Sequence, residues 1–302
     1  MKILATGSYL PEGILTNDDL SKKVDTSHEW IVERTGIKQR HVAKNETTSM
    51  LALAASLKAI KKSGIKPRAI DLIVACTSTP DGALPSVASK VLKSLGIKKV
   101  MAFDLNAACS GFVYGLDVAY ALMEAHQFKY ALVIGAEVMS NIIDWQDRQT
   151  CVLFGDGAGA VVIEKDTSPL HIHSSGIPDE TDALVTAKFL EMKGQDVFKF
   201  AVKTVYEEIQ HALAKMKLAH EAVDYFILHQ ANSRISDYVA KKLRIPKEKF
   251  YSNIAKVGNT SAASIPIVLD EMNTFGMLEK GMKLMLVGFG AGLSYGTVVL
   301  EW

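Results

Sequence analysis

The chain has 302 residues, of which 48% are hydrophobic and 22% charged. That length suits two domains of roughly 150 residues, or one domain built twice, and so many apolar residues exclude a disordered chain. Thirty-four basic side chains against 33 acidic ones leave a net charge of +1, which excludes nucleic-acid binding by a large basic field.

Three cysteines (Cys76, Cys109 and Cys151) are too few and too far apart for a secreted disulfide framework. No pair has zinc-site spacing, so no metal is expected. The apolar start at Met1–Gly7 is too short for a signal peptide. No run of about 18 apolar residues exists to span a membrane. A cytoplasmic protein with a sizeable core is the expectation.

In chain order, Thr26-x-x-Glu29 has capping-box spacing and opens a helix that ends near Gly36. Trp30 and Arg34, four apart, share one face of it. A second helix carries Met50, Leu51, Leu53, Ala54, Leu57 and Ile60 at apolar spacing. A β-rich run, DLIVACT, begins at Asp71, and the small-residue loop Asn106–Gly111 opens a helix with Phe112, Leu116, Ala119, Tyr120 and Met123 on its apolar stripe. Strands follow at residues 130–135 and 160–163. Residues 170–195 read as an irregular link. Beyond it come a helix (Phe198, Ala201, Val202, Val205, Ile209, Leu213), the run DYFILHQ from Asp224, and strands at 283–288 and 297–300.

These elements repeat. DLIVACT and DYFILHQ start 153 residues apart, and so do YALVIGA at Tyr130 and KLMLVGF at Lys283. Asn106 and Asn259, and Gly135 and Gly288, keep the same 153-residue offset. The period is far too long for a solenoid unit, so the chain reads as two homologous α/β halves, residues 1–169 and 170–302. Continuous apolar strands between helices imply sheets covered on both faces, and hence a duplicated five-layered αβαβα arrangement.

Function in such folds gathers at the C-terminal ends of strands. The first half places Cys109 there, at a helix N-terminus expected to favour a thiolate, where the second half has Ala262. The second half places His229 at the end of its strand and Asn259 nearby. Each alone reads as a structural residue. Together they form a Cys/His/Asn set suited to nucleophilic acyl chemistry on a thioester. Other features read as structural: Cys76 and Cys151 as core, His171-x-His173 as a strand face, and Lys61-Lys62 as a solvated helix face. Gly155–Ala160 matches a loose dinucleotide fingerprint but precedes a strand, so the phosphate-binding geometry is missing.

Seven segments, in this order, carry a resemblance: DTSHEWIVERTGI (25–37), AACSGF (107–112), DRQTCVLFGDGAGA (147–160), MKGQDVFKFAV (192–202), HQANSRI (229–235), GNTSAAS (258–264) and GFGAGLSYG (288–296). The chain resembles the β-ketoacyl-[acyl-carrier-protein] synthase III family of the thiolase superfamily. That resemblance implies the thiolase-like fold. It also implies decarboxylative condensation of an acyl-CoA primer, acetyl-CoA first among them, with malonyl-acyl-carrier protein. The product is 3-oxoacyl-acyl-carrier protein, made through an acyl-Cys109 intermediate, which initiates fatty acid biosynthesis. CoA thioesters enter as substrates and no further cofactor is implied.

By the same resemblance, His229 and Asn259 promote decarboxylation, and the backbone N–H groups of Cys109 and Ala291 form the oxyanion hole. Trp30, Arg34 and Arg148 clamp CoA, and Asn232 contacts its pantetheine. Arg234, Lys241 and Lys242 meet the acidic carrier protein. Leu84 stands where a phenylalanine commonly enters the acyl pocket of the partner in a homodimer. The segment between His173 and Met192 is shorter than usual. The rival reading is a related condensing enzyme or acyltransferase of polyketide- or quinolone-type metabolism with the same Cys-His-Asn set. A degradative thiolase needs a second cysteine late in the chain, and none follows Cys151. A catalytically dead partner subunit would not need all three residues.

Overall fold

The computed structural model describes all 302 residues. In the first half the strands are β1 (Lys2–Tyr9), β2 (Ile14–Thr16), β3 (Gln39–His41), β4 (Leu72–Cys76), β5 (Met101–Leu105), β6 (Tyr130–Glu137) and β7 (Gly157–Glu164). In the second they are β8 (Leu170–Gly176), β9 (Leu184–Thr186), β10 (Leu190–Met192), β11 (Tyr225–Leu228), β12 (Lys283–Gly290) and β13 (Ser294–Glu301). The first half carries helices α1 (Asn17–Ser21), α2 (His28–Thr35), α3 (Thr48–Ser63), α4 (Val87–Ser94), α5 (Gly111–His126) and α6 (Arg148–Cys151). The second carries α7 (Gly194–Met216), α8 (Ser233–Leu243), α9 (Ile254–Val257) and α10 (Ser264–Thr274).

One sheet runs β1-β7-β6-β4-β5 and the other β8-β13-β12-β11. They share one plan, in which β1-β7-β6-β4 matches β8-β13-β12-β11: two antiparallel pairings followed by a parallel one (β6–β4, β12–β11). The first sheet has an extra parallel edge strand, β5.

Alternation along the strands builds the layers, because successive side chains leave a strand on opposite faces. Leu72, Val74 and Cys76 of β4 face α5 and α10 in a central core, which Leu284, Leu286, Val298 and Leu300 of the other sheet complete. Ile73 and Ala75 face α3 and α4 on one outer side. Phe226, Leu228, Met285 and Val287 face α7 and α8 on the other. The result is the five-layered αβαβα sandwich. A one-residue slip of β4 would exchange its two faces, so this pattern sets the register.

Four local expectations are corrected. Residues 170–195 are not an irregular link: Leu170–Gly176 is the edge strand β8 paired with β13, and β9 and β10 form an antiparallel ribbon. The side chain capping α2 is Ser27, which accepts from the Trp30 N–H at 3.1 Å. This puts Glu29 one position short of the capping-box site, and the reciprocal box lies instead at Thr16 and Asp19. Gly36 does end α2, with φ +80°. On α3 the buried face is Leu51, Ala52, Ala55, Ser56, Ala59 and Ile60, while Met50 and Leu57 are exposed. The reason is close approach: a Cβ on Gly7 would come 2.3 Å from the Ala55 carbonyl oxygen, so small residues must face β1. Lys62 is more than a solvated charge. It binds the buried Asp270 of α10 at 2.6 Å and ties the two halves together.

No helix of the chain is long and apolar enough to cross a membrane.

Candidate active site

Two short 3-10 turns meet at the centre of the molecule. Ala108–Ser110 opens α5, and Ser261–Ala263 opens α10. Their first residues, Ala108 and Ser261, have φ of +47° and +49°. Non-glycine residues rarely accept that conformation, and each costs about 1–3 kcal/mol unless its surroundings hold it. The same device holds both turns. Asn106 Oδ1 accepts the Ala108 N–H at 3.0 Å, and Asn259 Oδ1 accepts the Ser261 N–H at 2.9 Å. The asparagine found twice in the sequence therefore has a structural duty in each half. In the second half the amide also lines a cavity, and its Nδ2 donates to no group of the chain.

Cys109 follows Ala108 and is 8% exposed. Gly290, at the end of β12, makes room for it: a Cβ there would lie 2.7 Å from the Cys109 nitrogen. Burial pushes the Cys109 thiol up to about 12, aided by the Glu137 carboxylate and opposed by the Ser261 hydroxyl. The expected lowering by the helix N-terminus is thus outweighed by desolvation, and the resting group is a thiol.

His229 follows the last residue of β11 and is 4% exposed. Burial alone lowers its pKa to about 3, so the ring is neutral. Ser264 Oγ lies 2.7 Å from its Nδ1, and the Phe289 ring packs edge-on with centroids 5.1 Å apart. Asn259 is fixed through its backbone: its N–H donates to Leu153 O and its carbonyl accepts from the Gly155 N–H, both at 2.9 Å. The wholly buried Arg40 holds this stretch, donating to Val152 O at 2.6 Å.

Cys109, His229, Asn259 and Asn232 line one cavity, whose walls include Leu153, Phe154, Met192, Phe198 and Phe289. Beyond Cys109 a second cavity is lined by Ser78, Met139, Ile142, Leu190, Ser261 and Ala291 among others. Cys109 belongs to both.

None of the remaining expected residues lines either cavity. Trp30 is flanked by two guanidiniums, Arg34 at 5.0 Å and Arg148 at 5.1 Å from its ring centroid. Asn232 joins that group to the cavity, because its Nδ2 donates to Arg34 O at 2.9 Å while its Oδ1 caps α8. Arg234 stands over Phe198, 5.6 Å from the ring centroid. Arg234 and Lys241 are exposed and seven residues apart, so they share a face of α8. Lys242 is turned roughly 80° from them and sits 3.9 Å over Tyr206. Leu84 is 89% exposed and touches neither cavity of its own chain.

Sequence reasoning missed Ser261, Ser264 and Glu137. Glu137 did leave a signal: it is the one charge ending the apolar run Ala131–Ala136, at the strand end where function gathers.

Residues 103–177 match the model of 3-oxoacyl-[acyl-carrier-protein] synthase III, and residues 213–302 match the model of that enzyme's C-terminal region. A β-ketoacyl-[acyl-carrier-protein] synthase III of Clostridium acetobutylicum is 46% identical, covering 100% of this chain and 98% of the relative. The chain belongs to the β-ketoacyl-[acyl-carrier-protein] synthase III family. The two synthase III models cover Cys109, Glu137 and Arg148 in one segment and His229, Asn232, Asn259 and Ser264 in the other. The synthase III of Clostridium novyi is 47% identical, with 100% and 99% of the two chains covered. The crystal structure of the Aquifex aeolicus synthase III superposes with a TM-score of 0.97 at 44% identity, over 100% of this chain and 99% of that one. The priming β-ketosynthase of the R1128 polyketide pathway superposes at 0.93 with 33% identity, over 99% and 95%. The Clostridium acetobutylicum alignment runs to 322 positions, so that relative has residues without a counterpart here.

Proposed function

We propose that the chain is a 3-oxoacyl-acyl-carrier-protein synthase that loads an acyl group from acyl-CoA onto Cys109 and condenses it with malonyl-acyl-carrier protein. This is the priming step of fatty acid synthesis, carried out in the cytoplasm. One observation carries the reading: a thiol, a neutral imidazole and an amide converge on one largely apolar cavity. Higher identity to the β-ketoacyl-[acyl-carrier-protein] synthases III than to the polyketide ketosynthase favours it over the specialised-metabolism rival.

The Cys109 sulfur attacks the thioester carbonyl, whose oxygen gains negative charge. The backbone N–H groups of Cys109 and Ala291, two residues that line the second cavity, receive that oxyanion. CoA then leaves and the acyl group occupies the second cavity. Malonyl-acyl-carrier protein enters next. Its thioester oxygen meets His229 and Asn259, which donate as neutral groups. The Ser264 hydroxyl donating to Nδ1 keeps the His229 proton on Nε2, the nitrogen needed for donation. Loss of CO2 leaves an enolate that those donors stabilise, and its carbon attacks the acyl-cysteine. Two neutral donors suit an enolate, because an imidazolium there would bind the departing carboxylate as an ion pair and retard its loss.

Trp30, Arg34 and Arg148 hold the adenine and phosphates of CoA, and Asn232 meets the pantetheine arm. The exposed face of Arg234 and Lys241, with Lys242 beside it, receives the acidic carrier protein. A local patch serves this although the whole chain is nearly neutral. Leu84, exposed on its own chain, enters the acyl pocket of a second copy in a homodimer, and its size there admits longer or branched primers.

Mixing the protein with acyl-CoA panels and malonyl-acyl-carrier protein tests the reading, with formation of 3-oxoacyl-carrier protein as the supporting result. Failure with every acyl-CoA, but turnover with another acceptor, favours the rival. Trp30→Ala is expected to raise the KM for acyl-CoA about tenfold, since stacking of a base on an aromatic ring is worth about 1–3 kcal/mol. Loading from an acyl-pantetheine, which lacks adenine, should be unchanged. An equal loss with both donors would place Trp30 elsewhere than at the adenine.

A further inference from the structure

Glu137 ends β6 beneath the two central turns and is 0% exposed. No cation pairs with it. Instead it accepts from the hydroxyls of Thr77 (3.2 Å), Ser78 (3.0 Å), Thr79 (2.5 Å) and Ser261 (3.1 Å), and from the Ser78 N–H at 3.1 Å. The Ser261 hydroxyl also acts on the Cys109 thiol, opposing the rise that burial causes. Both Cys109 and Ser261 line the second cavity, and Asn259 holds the turn that presents Ser261. A hydroxyl bonded to a buried carboxyl therefore opens onto the cavity that holds the sulfur.

We propose that Ser261 and Glu137 form a proton relay that takes the Cys109 proton when the acyl group is loaded and returns it when the acyl group leaves. The proposal rests on the acyl-Cys109 reading above.

Its chemistry balances. During loading the Cys109 sulfur forms a bond to the thioester carbon and loses its proton to Ser261 Oγ. The Ser261 proton moves to Glu137, which becomes a neutral acid. The bond from carbon to the CoA sulfur breaks, and the CoA thiolate takes a proton from solvent. During condensation the enolate carbon displaces Cys109, whose thiolate recovers the stored proton from Glu137 through Ser261. Over both halves one solvent proton is consumed and one CO2 released.

The surroundings of Glu137 suit two charge states. Four of its donors are hydroxyls that rotate, so they can satisfy an ionised carboxylate or offer an acceptor to a protonated one. A strand-end anchor that only needed hydrogen bonds would not need a group whose burial as an anion without a cation is costly. Burial also raises Glu137 above the usual carboxylate range, which makes it a better base for a buried thiol. His229, depressed to about 3, is a poor one.

The test counts protons during a single round of loading. At about pH 7 CoA is released as a thiol, so direct transfer from Cys109 to CoA changes the solvent proton count by nothing. The relay instead takes up about one proton per acyl-Cys109 formed, because Glu137 keeps the enzyme's own. A weakly buffered stopped-flow experiment with an indicator dye reads the uptake, and intact-protein mass counts the adduct in the same sample. Wild-type protein should show uptake matching the adduct. Glu137→Gln should load about 10²-fold more slowly and show no uptake, and Ser261→Ala should load as slowly. An infrared band of a protonated carboxyl should appear on loading of wild type and be absent from Glu137→Gln. Adduct without uptake or band in wild type overturns the relay and leaves the proposed function intact. Absence of any adduct overturns the function itself. The wild-type measurements decide the matter even if a variant fails to fold.

Discussion

Cys109→Ala is expected to abolish the acyl adduct and to cut turnover on the order of 10⁴–10⁶-fold, the scale on which removing a nucleophile acts in comparable sites. The substitution should leave the fold intact, for a reason the molecule itself supplies. Ala262 occupies the matching position of the second turn, 1% exposed, beside a residue with nearly the same positive φ. Loss of activity will therefore report chemistry and not unfolding. Intact mass after incubation with acyl-CoAs checks this, with circular dichroism as the control. An adduct of equal yield on Cys109→Ala would move the nucleophile elsewhere. The other cysteines offer poor substitutes, since Cys76 and Cys151 are buried and line neither cavity.

His229→Ala and Asn259→Ala are each expected to slow malonyl decarboxylation by about 10²–10³-fold, the usual cost of one oxyanion donor. In His229→Ala acyl loading from CoA should change by no more than roughly threefold, because the proposed oxyanion hole for that step is made of backbone N–H groups. Asn259→Ala also releases the turn that presents Ser261 and should slow loading as well. The split between the two half-reactions is the decisive readout. Loss of loading and decarboxylation to the same extent in His229→Ala would mean that this residue builds the cavity and does not act on the enolate.

The pH dependence follows from burial. His229 has a folded pKa of about 3 against an ordinary 6.5, so it stays neutral throughout the usual assay range. Decarboxylation should thus show no step near pH 6.5 arising from this ring. Stability behaves differently. Below 6.5 the unfolded chain binds a proton at this histidine that the folded chain refuses, so stability falls as pH drops from 6.5 toward 3. His229→Gln should flatten that part of a denaturation series, and an unchanged slope would show that the ring titrates normally in the fold.

Much of this was legible in the amino-acid order. The 153-residue offset identifies the two halves, since duplicated strands and turns must bury equivalent faces. It matches the starts of β4 and β11, of β6 and β12, and of the two central turns. The set Cys109, His229 and Asn259 could be picked out by asking what each half places at its strand ends. The sequence could not say that Asn259 also holds a strained turn, because that bond depends on the positive φ of Ser261. Nor could periodicity find the buried face of α3, which follows from the close approach of β1 and not from the largest apolar residues.

The state of the thiol was decided only in three dimensions. Reading along the chain shows Cys109 at a helix start, which argues for a thiolate. Folding buries it beside Glu137, and desolvation reverses the sign. Burial likewise determines that His229 is neutral, and the meeting of β6 with the turn before α10 brings Glu137 to Ser261, 124 residues away. Local sequence records which residues a helix or strand can hold. It does not record the solvent left around them once two sheets and the helices between them have closed, and that solvent sets where each proton sits.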